Sequence, residues 1–352
     1  MRNTWRGKET PHPFPHAPQG NTLLRETAAS AQQQPSTRFA RNRVAAPVHT
    51  FQNPLSRENC PDPAVLRVGR DYYLFSTSGN AAEAFPIRRS RDLISWEKVG
   101  HLFPRGKRPR WAKSDFWAPE VHRVGRRYVA YFTARDSAKR LCVGVAWANS
   151  PTGPWTDSGQ PLLRDDAVGL IDSHVFHDRE RTGKRYLYWK LDGNDLRPKG
   201  HTPIYVQELS ADGLSLAGAR EEVLTNDLDW EGDLIEGPWV VRRGRFYYLF
   251  YSGNNFWTEH YAVGVARSRS PQGPFTKMEQ TLLRRDENWL GPGHGSIVRA
   301  HDGHDYFVYH AWQRGRVGGR NPRMLLMDRI HWENEWPRIN DGSPSAAPQP
   351  AP

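Results

Sequence analysis

LIEGPWVVRRGRFYYLFYSGN, residues Leu234–Asn254, sets out the pattern that the rest of the chain repeats. It opens on the carboxylate Glu236 and alternates apolar and polar residues into Arg243-Gly244-Arg245. It then returns through the aromatic run Phe246–Tyr251. Alternation with a period of two on both sides of a short Gly turn predicts a β-hairpin. The same layout recurs at Asp62–Ser78, Ala118–Arg135, Asp172–Gly193 and His294–Gly315. The five starts, at 62, 118, 172, 236 and 294, lie 56, 54, 64 and 58 residues apart. Near-equal periods of one hairpin pattern indicate a radial repeat. Four of the five starts are ionisable: Asp62, Asp172, Glu236 and His294. A site is expected where they converge.

Each period carries a second strand pair. Ile87–Gly100, Val143–Gly159, Ile204–Gly218, Val263–Met278 and Arg323–Ile339 supply it. Two copies contain Ser-Pro-x-Gly-Pro followed by Trp155 or Phe275. Pro and Gly set a rigid turn there, and the ring is expected to pack between sheets. Four antiparallel strands in each of five periods predict an all-β, five-bladed β-propeller. A β-helix coil is shorter than this period, and a β-sandwich does not explain the repeat. In each blade the first strand lines the axis, so the five starts share one face. The hairpin tips lie on the opposite face, about 20 Å away for a six-residue strand.

Bulk composition limits the function classes. The chain has 352 residues, with 37% hydrophobic and 12% aromatic residues and 14 Trp, which suits a β-rich, carbohydrate-facing protein. No apolar run reaches the roughly 18–20 residues that span a bilayer, so a soluble chain without a membrane partner is expected. No secretory h-region opens the sequence, which predicts a cytoplasmic protein as given, with secretion open if the start is mis-called. Cys60 and Cys142 are expected as buried free thiols. The net charge of +11 raises nucleic acid as a partner. Much of the charge sits in exposed hairpin tips, at Arg67–Arg70, Arg123–Arg127 and Arg242–Arg245, where it keeps strand edges soluble. The dense Arg105–Arg110 loop has no nucleic-acid module beside it, so no such partner is expected. Residues 1–48 are polar and aperiodic and are expected as a disordered tail, as are 341–352. The propeller is expected over 51–340, as a monomer.

Asp62, Asp172 and Glu236 begin blades 1, 3 and 4, with Asp115 and Glu120 nearby in blade 2. Carboxylates gathered round an axis are costly unless they bind metal, pair with cations or perform acid–base chemistry. Asp before Pro is also an ordinary turn residue. Three acids in one repeat position, with Phe116, Trp117, His174, Trp239 and Trp257 close in sequence, point instead to sugar binding. Glu231 and Asp233 are rival acids outside the repeat register. His174, Arg314 and Arg316 are further candidates for sugar hydroxyls.

Cys-Pro-Asp62-Pro, Ser90-x-Asp-Leu-x-x-Trp96, Phe116-Trp-Ala-Pro-Glu120, both Ser-Pro-x-Gly-Pro motifs, Ile171-Asp172, Ile235-Glu236-Gly-Pro and Gly293-His294-Gly-Ser together resemble glycoside hydrolase family 43. That family holds arabinanases, α-L-arabinofuranosidases and β-xylosidases on a five-bladed propeller. The resemblance covers about 51–340. It implies Asp62 as general base, Glu236 as general acid and Asp172 as the residue that orients the acid and tunes its pKa. A carboxylate at Asp172 is expected to raise Glu236 by like-charge repulsion. The resemblance further implies an inverting hydrolysis of α-L-arabinofuranosidic or β-D-xylosidic bonds in oligo- or polysaccharides. No cofactor is required, although His294 is a candidate to face a structural calcium in the central channel through water. A hydrogen-bonded axial histidine is the plainer reading. A non-catalytic carbohydrate-binding propeller is the alternative function. The Asn-Asp-Pro-Asn and Arg-Asp-Pro motifs of the related fructosidases are absent.

Overall fold

The computed structural model describes residues 49–193 and 201–352. The expected N-terminal tail, 1–48, lies outside them. Five four-stranded antiparallel sheets follow one another along the chain, each ordered from its first strand outward. Blade 1 is Ala64–Val68, Asp71–Phe75, Ala84–Ser90 and Glu97–Phe103. Blade 2 is Ser114–Val124, Arg127–Arg135, Leu141–Ala148 and Thr156–Asp157. Blade 3 is Gly169–His177, Arg185–Asp192, Ile204–Leu209 and Leu216–Leu224. Blade 4 is Ile235–Arg243, Phe246–Gly253, Ala262–Ser268 and Thr276–Lys277. Blade 5 is Trp289–Arg299, Asp305–Gln313, Met324–Glu333 and Trp336–Arg338. The protein is a five-bladed β-propeller.

The opening hairpin folds as its alternation requires. Arg243 pairs with Phe246, so Gly244 and Arg245 make the turn, with Gly244 at φ +57°. Alternate residues of each strand enter the spaces between neighbouring sheets. Phe75, Phe85, Phe116 and Phe132 fill the space between blades 1 and 2. Tyr188, Val206, Leu249 and Tyr251 fill that between blades 3 and 4. Trp155 and Phe275 pack against these two clusters, as the turn motif predicts. Cys60 and Cys142 are buried free thiols.

The ring is closed at its ends. Asn53 donates to Met327 O at 3.1 Å and to Ser345 Oγ at 3.0 Å, and accepts the Met327 amide at 3.0 Å. Leu55 and Cys60 donate backbone bonds to Leu325 and Arg323 of blade 5, both at 2.8 Å. Residues 341–352, expected as a disordered tail, take part: Gln349–Pro350 pairs with Thr50–Phe51, and Ser345 is buried. Their polar, Pro-rich composition hid a strand of two residues that depends on its partner.

A repeated irregularity builds the site. The first strands of blades 2 to 5 slip register between Trp117 and Glu120, Ile171 and His174, Glu236 and Trp239, and Gly293 and Ser296. The leading residue of each bulge has a left-handed backbone: Ala118 at φ +40°, Asp172 at +54°, Gly237 at +59° and His294 at +39°. Asp62, just ahead of the blade 1 strand, matches them at +52°. Non-Gly residues in this region cost about 1–3 kcal/mol each and cluster at functional sites. Asp62, Ala118, Asp172, Gly237 and His294 therefore form one ring. This corrects the expected register, because Glu236 precedes the ring position by one residue. A one-residue offset turns a strand side chain to the other face.

Candidate active site

Asp62, Asp172, Glu236 and His294 line one cavity of about 250 Å³ together with Thr77, Trp117, Arg135, Leu141, Ile171, Asp192, Phe256, Trp257 and Arg323. The three acids are each more than nine-tenths buried, so their partners decide their charge.

Asp62 is held as an anion. Its Oδ1 lies 2.8 Å from Arg323 Nη1 and 3.4 Å from His294 Nδ1, and its Oδ2 accepts the Thr77 hydroxyl at 2.5 Å. Burial alone would raise this carboxyl, but Arg323, then His294, and the Thr77 bond hold it well below the ordinary carboxylate range. His310 stands by as a neutral imidazole, because burial lowers its pKa far below the usual value. Its Nδ1 therefore accepts the Asp62 amide at 3.2 Å.

Asp172 is the opposite case. Its Oδ2 accepts the Gly237 amide at 3.1 Å. Burial, then the Glu236 and Asp62 carboxylates, push it up to about 7 against the pull of His294 and Lys190. Glu236 sits between two donors. Tyr261 OH donates to its Oε1 at 2.7 Å, and the fully buried Lys190 Nζ lies 3.1 Å from its Oε2. Asp172 is the carboxyl raised by its neighbours, and the buried Lys190 cation stands against Glu236. For His294, burial alone would lower the imidazole, but Asp62, Asp172 and Glu236 raise it above the ordinary histidine value.

Asp172, Glu236 and His294 would hold a calcium only with water completing most of its shell. Ca²⁺ takes 6–8 oxygen ligands. The ligand atoms that approach one another within 4.8 Å here are one imidazole and the carboxylates of Asp172 and Glu236. Glu236 is already engaged by Tyr261 and Lys190.

One layer along the axis, at Ala64, Glu120, His174, Trp239 and Ser296, lies a second constellation. Glu120 Oε2 meets His122 Nε2 at 2.9 Å and His174 Nδ1 at 2.8 Å, and His174 Nε2 reaches Val240 O at 3.3 Å. Burial raises the Glu120 carboxyl and pushes His174 down to about 3. With all three groups neutral, Glu120 donates to His174 Nδ1, His174 Nε2–H donates to Val240, and His122 Nε2–H donates to Glu120.

The comparison with known proteins decides the family. Residues 51–337 match Glycosyl hydrolases family 43. The chain belongs to this family. Among family 43 relatives, Xylosidase/arabinosidase 43B of Humicola insolens is 30% identical over 311 residues, covering 83% of this chain and 55% of that protein. The extracellular exo-α-(1→5)-L-arabinofuranosidase of Streptomyces chartreusis is 28% identical over 337 residues, covering 88% and 96%. The crystal structure of a thermostable family-43 glycoside hydrolase superposes with a TM-score of 0.80 at 31% identity, covering 86% of this chain and 99% of that one. The chain spans just over half the length of the first curated relatives it matches.

On this family 43 scaffold the residues singled out in the sequence separate into two sets. Asp62, Asp172, Glu236, His294, Trp117 and Trp257 meet at the cavity. Phe116 does not: it is fully buried between blades 1 and 2, on the opposite face of its strand from Trp117. Trp239 packs in the core of blades 4 and 5 with its ring 4.5 Å from His174. His174 is 2% exposed and spends its nitrogens on Glu120 and Val240, below the cavity. Arg316 is exposed on the turn after Gln313 and does not line the cavity. Asp115 pairs with Arg135 at 2.6 Å. Glu231 is a structural acid, accepting Tyr251 OH at 2.6 Å and pairing with Lys277 at 2.6 Å.

Thr77, Lys190, Tyr261, Phe256 and Arg323 escaped the sequence reading. Lys190 left a signal: a lone cation inside the apolar run Tyr186–Leu191. Arg323 left none, since it is one of many arginines and approaches Asp62 from blade 5.

Proposed function

We propose that this chain hydrolyses α-L-arabinofuranosidic or β-D-xylosidic bonds at the ends of plant-type oligo- or polysaccharides, with inversion at the anomeric carbon. The observation that carries the reading is the opposite treatment of two buried carboxylates on one cavity. Asp62 is held ionised by Arg323, whereas Asp172, beside Glu236, is pushed up to about 7. Asp62 is thereby fitted to act as base, while Asp172 is the partner, through the Gly237 peptide, of Glu236, the second carboxyl of the pair.

In this reading Asp62 takes a proton from a water as its oxygen attacks the anomeric carbon. Glu236 gives its proton to the departing glycosidic oxygen as that bond breaks. The first-formed products are the inverted sugar and an alcohol. Asp62 and Glu236 regain their starting states by proton exchange with solvent. Asp172 ties down the peptide that carries Glu236. Trp257 at the mouth and Trp117 and Phe256 in the wall offer ring faces to the sugar, and Arg323 is steadied by Phe256 at 4.7 Å. His294 serves as the cation of the ring, and no step is routed through a metal. The cavity volume of about 250 Å³ falls below the ~300–1,000 Å³ of pockets for drug-sized ligands. That suits one or two sugar rings, hence the end of a chain.

A screen of aryl α-L-arabinofuranoside, aryl β-D-xyloside and linear arabinan tests the proposal. Release of single pentoses from at least one is expected. Sugar binding with no hydrolysis of any would favour the carbohydrate-binding propeller instead.

A further inference from the structure

Lys190 breaks a pattern that the other blades keep. Two residues beyond the partner of the second-layer position, on the second strand or, in blade 1, just past its end, stand Thr77, Thr133, Lys190, Ser252 and His310. In four blades this side chain accepts the backbone N–H of the next blade's ring residue. Thr77 Oγ1 accepts Ala118 at 2.7 Å, Thr133 Oγ1 accepts Asp172 at 3.1 Å, Ser252 Oγ accepts His294 at 2.8 Å, and His310 Nδ1 accepts Asp62 at 3.2 Å. An ammonium has three donors and no acceptor. Lys190 therefore cannot serve Gly237, whose amide turns to Asp172 at 3.1 Å.

A hydroxyl at this position satisfies the fold in three other blades. Burying an ammonium carries a desolvation penalty of several kcal/mol, recovered only with close counter-charges. Lys190 has them: its Nζ lies 3.1 Å from Glu236 Oε2 and 3.6 Å from Asp192 Oδ1, with the side chain wholly buried. The cation thus replaces the ring's hydroxyl in the one blade that precedes Glu236.

We propose that Lys190 is a positioning residue for Glu236, placed to stabilise the carboxylate that forms as Glu236 protonates the leaving group. The inference rests on the acid role of Glu236. In the step, the Glu236 O–H bond breaks, its proton joins the glycosidic oxygen, and the electron pair stays on Glu236. The new negative charge then lies against the ammonium, in a site too buried for water to screen it. Preorganised charge aimed at developing charge lowers the barrier. No proton passes to or from Lys190. Tyr261, on the other oxygen, fixes the orientation of the carboxyl group.

The test uses the full chain and aryl glycosides of graded leaving-group ability. Lys190→Met is expected to lower kcat/KM by about 10²–10³-fold on the poorest leaving group, within the ~10²–10⁴-fold span of general acid catalysis. The loss should shrink below about tenfold on a dinitrophenyl glycoside, and Lys190→Arg should recover part of it. In a Glu236→Gln background, adding Lys190→Met should change kcat/KM by less than about threefold, because residues acting as a unit are not additive. That pair removes the Glu236 charge together with its cation, which guards against a folding failure of the single variant. Equal loss on every leaving group, or full multiplicative loss in the pair, would overturn the assignment. A Glu236→Gln variant without leaving-group dependence would instead remove the acid role, and the inference with it.

Discussion

Asp172 Oδ2 accepts the backbone N–H of Gly237 at 3.1 Å, so the acid raised to about 7 is tied to the peptide that bears Glu236. The consequence is a pH signature. A group raised in the folded state contributes stability that is fully present below its unfolded pKa, ~3.9 for Asp, and lost as pH rises through its folded value. Asp172→Asn cannot titrate. Its melting temperature relative to wild type should therefore climb between about pH 4 and about pH 7 and level off above. Thermal melts across that range check it, and a constant difference would contradict it.

Gly237→Ala tests the ring geometry. A Cβ at Gly237 would stand 3.0 Å from the His294 ring, on a backbone at φ +59°. The left-handed conformation alone costs an Ala roughly 1–2 kcal/mol. The expected result is a melting temperature several degrees lower, with kcat reduced more than KM is raised, since His294 and Glu236 are both displaced. Wild-type kinetics in this variant would show that the ring tolerates the shift.

Trp257 separates binding from stability. It is 52% exposed at the cavity mouth and supports no core cluster. Trp257→Ala should raise KM several-fold while stability stays within about 0.5 kcal/mol, the usual range for surface substitutions. Unchanged KM on both aryl and oligosaccharide substrates would remove Trp257 from the binding surface.

His294 as the ring's own cation makes a prediction about metal. Prolonged chelation should leave the melting temperature unchanged, and added calcium should not raise it. A chelator-induced fall that calcium reverses, and that His294→Ala abolishes, would install a metal there.

The fold was legible because a propeller repeats its signal. Apolar alternation around five Gly turns exposes the period, and the Ser-Pro-x-Gly-Pro plugs mark the outer strands. Asp62, Asp172 and His294 could be found for the same reason, since each stands at one repeat position. Glu236 was found one residue off register, because a β-bulge adds a residue that hydropathy alternation does not reveal. Phe116 and Trp239 misled, since an aromatic beside a catalytic motif can face either side of its strand, and here both turn into the inter-blade core. His174 misled for a related reason, its polar ring being spent on Glu120 inside the channel. The contacts of Arg323 and Lys190 cross between blades or follow strand register, and the linear chain carries neither. Residues 341–352 are ordered by partners distant in sequence, Gln349–Pro350 by Thr50–Phe51 and Ser345 by Asn53 and Asp328.

The stereochemical outcome separates direct displacement by water from a covalent route. Asp62 as base and Glu236 as acid, without a covalent intermediate, require the first-formed pentose to have the anomeric configuration opposite to that of the substrate. Proton NMR of the product, read before mutarotation, distinguishes the anomers. The account predicts inversion, with Asp62→Asn inactive even toward an activated aryl glycoside, because water activation is needed whatever the leaving group. A first-formed sugar of retained configuration would contradict it.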